Sequence, residues 1–166
     1  MTSRTAIALT ALLLAGCGGD DPANVPQYGQ WEVVRTLDSV SVDGMTFAAE
    51  DVPAEFREME GTESICGEPI YTDRSWQQED ISERTKGQCE LESYDYSAAG
   101  ASLAGTCTIR GNGVEYTPRL HGTSTFAADR LRDVVTMEGT LNLPGDDSPH
   151  VMKLIAVQEG RRIGDC

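Results

Sequence analysis

The chain has 166 residues and a formal net charge of −14, from 13 basic and 27 acidic side chains. This length suits one domain with a core of its own. The acidic balance argues against nucleic acid as a partner and against electrostatic attachment to anionic lipid, because both need a basic footprint. It is typical of a soluble domain whose surface repels its own copies.

Residues 1–16 are predicted to be a lipoprotein signal peptide. An apolar run, Thr5–Ala15, follows the positive amino terminus and Arg4, and it is too short to cross a bilayer. The run leads into Leu-Ala-Gly-Cys, the pattern of a bacterial lipobox, which makes Cys17 the lipidated first residue of the mature chain. The alternative is a conventional signal peptide that merely contains a cysteine, and the small residues directly before Cys17 disfavour it.

The mature chain divides into a tether and a domain. Residues 17–28 carry lipid on Cys17 and continue as a segment rich in Gly, Pro and Asp, which predicts a flexible tether. Residues 29–166 are predicted to form a single β-rich domain. We expect a protein of the cell envelope that is lipid-anchored and faces the periplasm. Gly18, in place of Asp, indicates the outer membrane rather than the inner one, by similarity to the sorting rule of enteric bacteria.

A strand and a hairpin turn are predicted at the start of the domain. Residues 30–37 alternate loosely between apolar and polar side chains, with Trp31 and Val33 on the apolar side. The strand is expected to run to Val42, where Asp43-Gly44 turns the chain.

Two short helices are predicted next, with a strand between them. Apolar residues at helical spacing indicate a helix over residues 52–60, and residues 62–66 indicate a short strand. A second helix is expected to begin at Ser75, which has capping-box spacing to Gln78, and to end near Gly87.

From Cys89 onward apolar residues recur at every second position, which predicts strands. Short turns near residues 97–100, 111–113 and 144–147 separate them. Pro118 lacks an N–H, so a bulge or an edge is expected at this residue. The clearest strand has an apolar face made of Val114, Tyr116, Pro118, Leu120, Gly122 and Phe126. The next has an apolar face made of Leu131, Val135, Met137, Leu141 and Leu143, and residues 151–157 form the last long strand.

Five consecutive strands with short turns predict a mainly β fold, a curved antiparallel meander sheet that forms a half-barrel or an open barrel. One face of the sheet is apolar and the other polar, as expected when a sheet covers a single core. The one or two short helices are expected to fill its concave side.

Four cysteines remain once Cys17 is assigned to lipid, and an even number in an exported domain predicts disulfides. Cys89 and Cys107 face inward on adjacent strands, symmetrically about the turn, so they lie within reach of each other. Cys66 and Cys166 are then left as the second pair. Three pairings are possible, and this one is favoured. A zinc site is the competing interpretation, but no Cys-x-x-Cys pair is present.

The sequence predicts no catalytic residue, no cofactor and no metal site. His121 lies on the polar face of a strand and His150 in a turn, neither at a recognised spacing from a nucleophile. The acidic pairs lack the ligand pattern of a calcium site. Arg161 and Arg162 form a possible anion-binding pair. The alternative is that both arginines pair with nearby acids and offset the acidic surface.

Several of these features together resemble a known family. They are the start Gly29-x-Trp31-Glu32, the four spaced cysteines, the strand Val114-x-Tyr116-Thr117-Pro118 and the ending Gly160-Arg161-Arg162-Ile163-Gly164-Asp165-Cys166. The chain resembles the bacterial domain of unknown function 3617 over residues 28–166. This resemblance implies an exported, mostly β domain in the envelope of Gram-negative bacteria, and it supplies no activity or catalytic residue. The family's Leu-Thr-Pro-like run is reduced here to the proline of Cys66-Gly67-Glu68-Pro69.

Three hypotheses for function follow from this sequence. The first is a binding or interaction module on a lipid tether, with a hydrophobic small molecule or an envelope protein as its partner. The second is a structural or assembly lipoprotein without a ligand. The third, least favoured, is an unrecognised hydrolase. A cavity between a helix and the sheet would favour the first hypothesis, and an exposed apolar patch over a filled core would favour the second.

Overall fold

The computed structural model describes residues 21–48, 51–52, 57, 60–111 and 113–166. The predicted signal peptide and Cys17 lie outside these residues. Most of the predicted helix over residues 52–60 lies outside them as well. Val52, at its start, is described and is buried in the core.

The described residues form nine strands and a helix, and every strand pairing is antiparallel. The elements are β1 (Gly29–Val42), β2 (Met45–Phe47), β3 (Gly61–Gly67), α1 (Arg74–Arg84), β4 (Cys89–Ser97), β5 (Gly100–Cys107), β6 (Ile109–Gly111), β7 (Val114–Ala127), β8 (Arg130–Asn142) and β9 (His150–Gly164). Their order in the sheet is β2-β1-β9-β8-β7-β5-β4, with β3 also paired to β1 and β6 to β7. The sheet is not closed, which confirms the prediction of a mainly β, curved meander.

The turn between β1 and β2 is the one predicted. Asp43 has φ 51° and Gly44 has φ 82°, so both central residues adopt left-handed backbone conformations. A two-residue hairpin of this kind matches the right-handed twist of its flanking strands, and Asp-Gly suits both positions. The first strand therefore extends to Val42 as expected.

The irregularity expected at Pro118 lies in the neighbouring strand. Strand β7 itself pairs with β8 without a shift of register from Glu115 to Ala127. On its other side, β5 ends at Cys107 and β6 begins at Ile109, so the partner is interrupted opposite Pro118. A residue that cannot donate to the ladder is tolerated where the neighbouring strand breaks.

The prediction that the helix begins at Ser75 is wrong by one residue. Helix α1 begins at Arg74, and Asp73 is the N-cap. The Asp73 carboxylate accepts hydrogen bonds from the backbone N–H groups of Ser75 at 2.7 Å and Trp76 at 3.4 Å. Asp at the N-cap satisfies N–H groups that the helix leaves without partners, so it determines the start.

Helix α1 connects the two open edges of the sheet. At the β4 edge, the Leu91 N–H donates to Gln78 Oε1 at 2.6 Å, and Arg74 donates to the Leu91 carbonyl at 3.0 Å. At the opposite edge, Arg84 pairs with Glu63 of β3 at 3.6 Å. The helix therefore shields the unpaired groups of an edge strand and lies across the concave face.

Part of the predicted tether belongs to the folded domain. The Asp21 N–H donates to Glu68 at 2.8 Å, the Asn24 side chain donates to the Ile70 carbonyl at 2.7 Å, and the Val25 N–H donates to the Tyr96 hydroxyl at 2.9 Å. The composition of this segment predicts a flexible coil because it has no apolar period. The same composition includes short polar side chains, and these bind the segment to the domain. The described residues before Gly29 are thus hydrogen-bonded to the domain.

Both predicted disulfides are present. Cys89 and Cys107 are directly paired across β4 and β5, with 4.1 Å between their Cα atoms. Cys66 and Cys166 join β3 to the C-terminus, with 5.8 Å between their Cα atoms.

The buried side chains form two apolar clusters on the inner face of the sheet. The larger cluster contains Leu37, Val40, Val52, Cys89, Cys107, Tyr116, Leu120, Met137, Leu141, Met152 and Leu154. The smaller contains Trp31, Val33, Ile70, Ala101 and Leu131.

Candidate functional site

A row of polar side chains separates the two apolar clusters. Four directly paired positions on adjacent strands carry it, and all four side chains line the same inner space. The row runs across β1, β9, β8 and β7 as Arg35, Gln158, Asp133 and Ser124. We call these four residues the polar row. Each side chain is at an inward-facing position of its strand. Along the strand, it lies between residues of the two clusters.

The next row of paired positions is made of small apolar residues. Ala156, Val135 and Gly122 occupy it on β9, β8 and β7, between Leu37 and Leu103. A Cβ atom added to Gly122 would lie 2.9 Å from the Leu103 side chain, so this position requires glycine for close packing. The short side chains leave a cavity of about 310 Å³ between the sheet and α1, which contributes Gln77 and Ile81 to its lining.

Gln158 links the two charged members of the polar row. Its Oε1 accepts from Arg35 Nε at 3.0 Å, and its Nε2 donates to Asp133 Oδ2 at 2.9 Å. A guanidinium only donates and a carboxylate only accepts, so this pair of neighbours fixes the orientation of the amide. The Asp133 carboxyl group is therefore held in place through Oδ2.

The other carboxyl oxygen, Asp133 Oδ1, is buried and has no hydrogen-bond partner among the described residues. Burial raises the pKa of Asp133 to about 6, although the Ser124 hydroxyl and the Gln158 amide lower it in part. A carboxyl group in this environment titrates near neutral pH, and buried polar atoms without partners are rare in folded proteins. Asp133 is therefore the chemically distinctive residue of the cavity.

Ion pairs lie where the cavity meets solvent. Glu63 accepts a hydrogen bond from Arg35 and also pairs with Arg84, which in turn pairs with Asp80 at 2.8 Å. The hydrogen bond from Arg35 is the main cause of the lowered pKa of Glu63. These side chains are partly exposed, whereas the Oδ1 atom of Asp133 is inaccessible to solvent. Together they join β1, β3 and α1 around the opening.

A family model described as "Protein of unknown function (DUF3617)" matches residues 26–166. The chain belongs to this DUF3617 family. No curated protein and no solved structure gives a significant match. The match covers every strand of the sheet, the polar row and both disulfides, so the cavity lies entirely within the DUF3617 domain.

The two predicted arginines lie outside the cavity of the DUF3617 domain. Arg162 Nε donates to the Tyr28 carbonyl at 3.0 Å, and its Nη2 donates to Asp165 Oδ1. Arg161 lies 3.6 Å from Glu32. The two side chains alternate across β9 and do not converge, and each has an acidic partner of its own. Anion binding at these residues stays a prediction.

Neither histidine lines the cavity. His121 is exposed on the outer face of β7. His150 lies between two carboxylates, 2.7 Å from Asp43 and 3.0 Å from Asp146, and these hydrogen bonds raise its pKa.

Within the described part of the chain, no set of His, Cys, Asp and Glu side chains is arranged to hold a metal ion. Among the same residues, no helix has the length and apolar character needed to cross a bilayer.

Sequence reasoning missed all four residues of the polar row. The available signal was a polar residue at an inward position of an otherwise apolar face. Asp133 falls between Leu131 and Val135, and Ser124 falls between Gly122 and Phe126. Each looks unremarkable in its own strand, and their significance comes from their pairing across the sheet.

Proposed function

We propose that this protein is a lipid-anchored module of the cell envelope that binds a small apolar molecule. The observation that carries this proposal is the cavity of about 310 Å³ with its largely apolar lining and the buried Oδ1 atom of Asp133. Small-molecule sites are mostly apolar, with a few placed polar groups, and begin at about 300 Å³. The cavity is therefore large enough for a small ligand.

The small residues beside the polar row support binding over a purely structural role. Ala156, Val135 and Gly122 line the space between the sheet and α1, and a larger side chain at Ala156 or Val135 would fill much of it. Protein interiors are normally packed closely, with few large voids. The small residues are consistent with a space kept for an occupant.

The anchor is part of the same proposal. Lipid on Cys17 would hold the domain at the envelope, facing the periplasm, and Gly18 favours the outer membrane. Two disulfides in a domain of this size support an oxidising compartment. Intact-mass measurement of protein extracted from membranes tests the anchor. We expect the mass of a chain that begins at Cys17 plus its acyl groups, and a Cys17→Ser variant without them. A chain that begins elsewhere would contradict the anchor.

A matched pair of variants tests ligand binding. Val135 points into the cavity, whereas Val134 is the next residue on β8 and points to the outer face. Residues 18–166 are exported behind a conventional signal peptide, so that the disulfides form and no lipid is attached. The Kd for 1-octanol is then measured by NMR titration. We expect Val135→Phe to weaken binding at least tenfold, because the ring fills the cavity, and Val134→Phe to change it less than twofold. Equal effects, or no binding by the wild type, would contradict the proposal.

A further inference from the structure

The buried carboxyl group specifies the chemical class of the ligand, if the cavity binds one as proposed above. We infer that the cavity takes a cationic amphiphile, an apolar body with one protonated amine that donates a hydrogen bond to Asp133 Oδ1. The inference depends on the geometry around this oxygen and on the charges that line the cavity.

The first argument is hydrogen bonding. Asp133 Oδ1 is the only buried side-chain oxygen or nitrogen without a partner among the described residues, and it belongs to the cavity lining. A carboxylate oxygen only accepts, so the missing partner must be a donor. Leaving such a group without a partner is unfavourable, and more so when it is charged. A ligand with a donor therefore gains from this position.

The second argument is charge. The charged residues of the described lining are Arg35 on β1, Asp80 and Arg84 on α1, and Asp133 itself. Arg84 pairs with Asp80, and Arg35 pairs with Glu63 of β3, which lies outside the lining. Gln158 stands between Arg35 and Asp133. Asp133 is therefore the one charged residue of the described lining without an ion-pair partner.

These two requirements together select an amine over other donors. A hydroxyl or an amide supplies the hydrogen bond but leaves a buried charge unpaired, which is strongly unfavourable. An acid is repelled by Asp133 and by a chain whose formal net charge is −14. A protonated amine supplies the donor and the opposite charge at once.

Three probes with one apolar body test this inference. The Kd values of n-octylamine, 1-octanol and octanoate are measured at pH 7.5 on residues 18–166, on an Asp133→Asn variant and on an Asp147→Asn control in an exposed turn. We expect the wild type to bind octylamine at least tenfold more tightly than octanol and to bind octanoate most weakly. Asp133→Asn should bring octylamine within about twofold of octanol, whereas Asp147→Asn should keep the preference.

The possible results separate the ligand class from the cavity itself. If octanol and octylamine bind equally, or if Asp133→Asn keeps the amine preference, the inference is overturned while the apolar cavity stands. If no probe binds the wild type, both fail. A measurement on the wild type guards against a variant that does not fold. With ¹³C-labelled protein, the carboxyl resonance of Asp133 should shift with octylamine and much less with octanol, and equal shifts would also overturn the inference.

Discussion

Replacing Asp133 with asparagine should stabilise the protein, and the gain should grow with pH. The two side chains have nearly the same shape, and an asparagine oxygen still accepts the hydrogen bond that Gln158 donates to Asp133 in the wild type. The variant removes only the charge that burial disfavours. This makes Asp133→Asn a direct test of whether the carboxyl group is buried as described.

The size of the effect follows from the pKa of Asp133, which burial raises from 3.8 to about 6. The folded state holds this proton more tightly than the unfolded state, so its contribution to stability is complete below pH 3.8. It is lost as the pH rises to about 6. A difference of 2.2 (6 − 3.8) corresponds to about 3 kcal/mol above pH 6. In a chain of this size this is roughly 6–12 °C in Tm.

Thermal unfolding of the wild type and Asp133→Asn at pH 4 and pH 8 measures this effect. We expect nearly equal Tm values at pH 4 and a clearly higher Tm for the variant at pH 8. Other groups that titrate in this range contribute equally to both proteins, so they cancel in the comparison. For Asp147→Asn, in an exposed turn, the difference in Tm from the wild type should not increase between pH 4 and pH 8. A difference that stays constant between the two pH values would refute the assignment of a buried, titrating Asp133.

Two further predictions concern the turns and the disulfides. Hydrogen bonds to two carboxylates raise the pKa of His150 above its usual value of 6.5. The charged imidazole therefore stabilises the fold fully below pH 6.5, and this stabilisation is lost as the pH rises through the pKa of the folded state. His150→Gln should therefore lower the Tm more at pH 5.5 than at pH 9, and an equal loss at both would contradict the pairing. Replacing Cys66 and Cys166 with alanine should reduce the free energy of unfolding by about 5 kcal/mol, against about 3 kcal/mol for Cys89 and Cys107, because the loops span 100 and 18 residues. Urea unfolding measures both losses, and a larger loss from the shorter loop would contradict the chain-entropy account.

The sequence predicts the sheet well because alternation is local. In β7, the inward positions predicted from period two are the buried ones, with Tyr116, Pro118 and Leu120 as examples. The hairpin of β4 and β5 also follows from local information, since the midpoint between Cys89 and Cys107 lies in the turn. Register between strands joined by a short turn is determined by that turn, so the first disulfide could be predicted.

The cavity could not be predicted because it depends on register between strands that are distant in sequence. Gln158 and Arg35 are 123 residues apart and become neighbours only because β9 pairs with β1. A polar residue on one apolar strand face is usually a local exception. It becomes a site when four neighbouring strands carry polar residues at paired positions, beside a row of small ones. Such a coincidence is visible only once the sheet order is known.

The hydrogen bonds of residues 21–28 change what the proposed anchor would do. A flexible tether over residues 17–28 would hold the domain away from the membrane, but Asp21 is already bonded to Glu68. From Cys17 to Asp21 the chain can reach at most about 14 Å, four residues at about 3.6 Å each. The same N-terminal segment bonds to the carbonyl of Ile70, which lines the cavity. A lipid on Cys17 would therefore keep the cavity close to the bilayer, where amphiphiles concentrate. Lengthening this link by ten Gly-Ser residues should leave the Kd for octylamine in solution unchanged and slow its uptake from vesicles. An unchanged uptake rate would show that the short link has no role in capture.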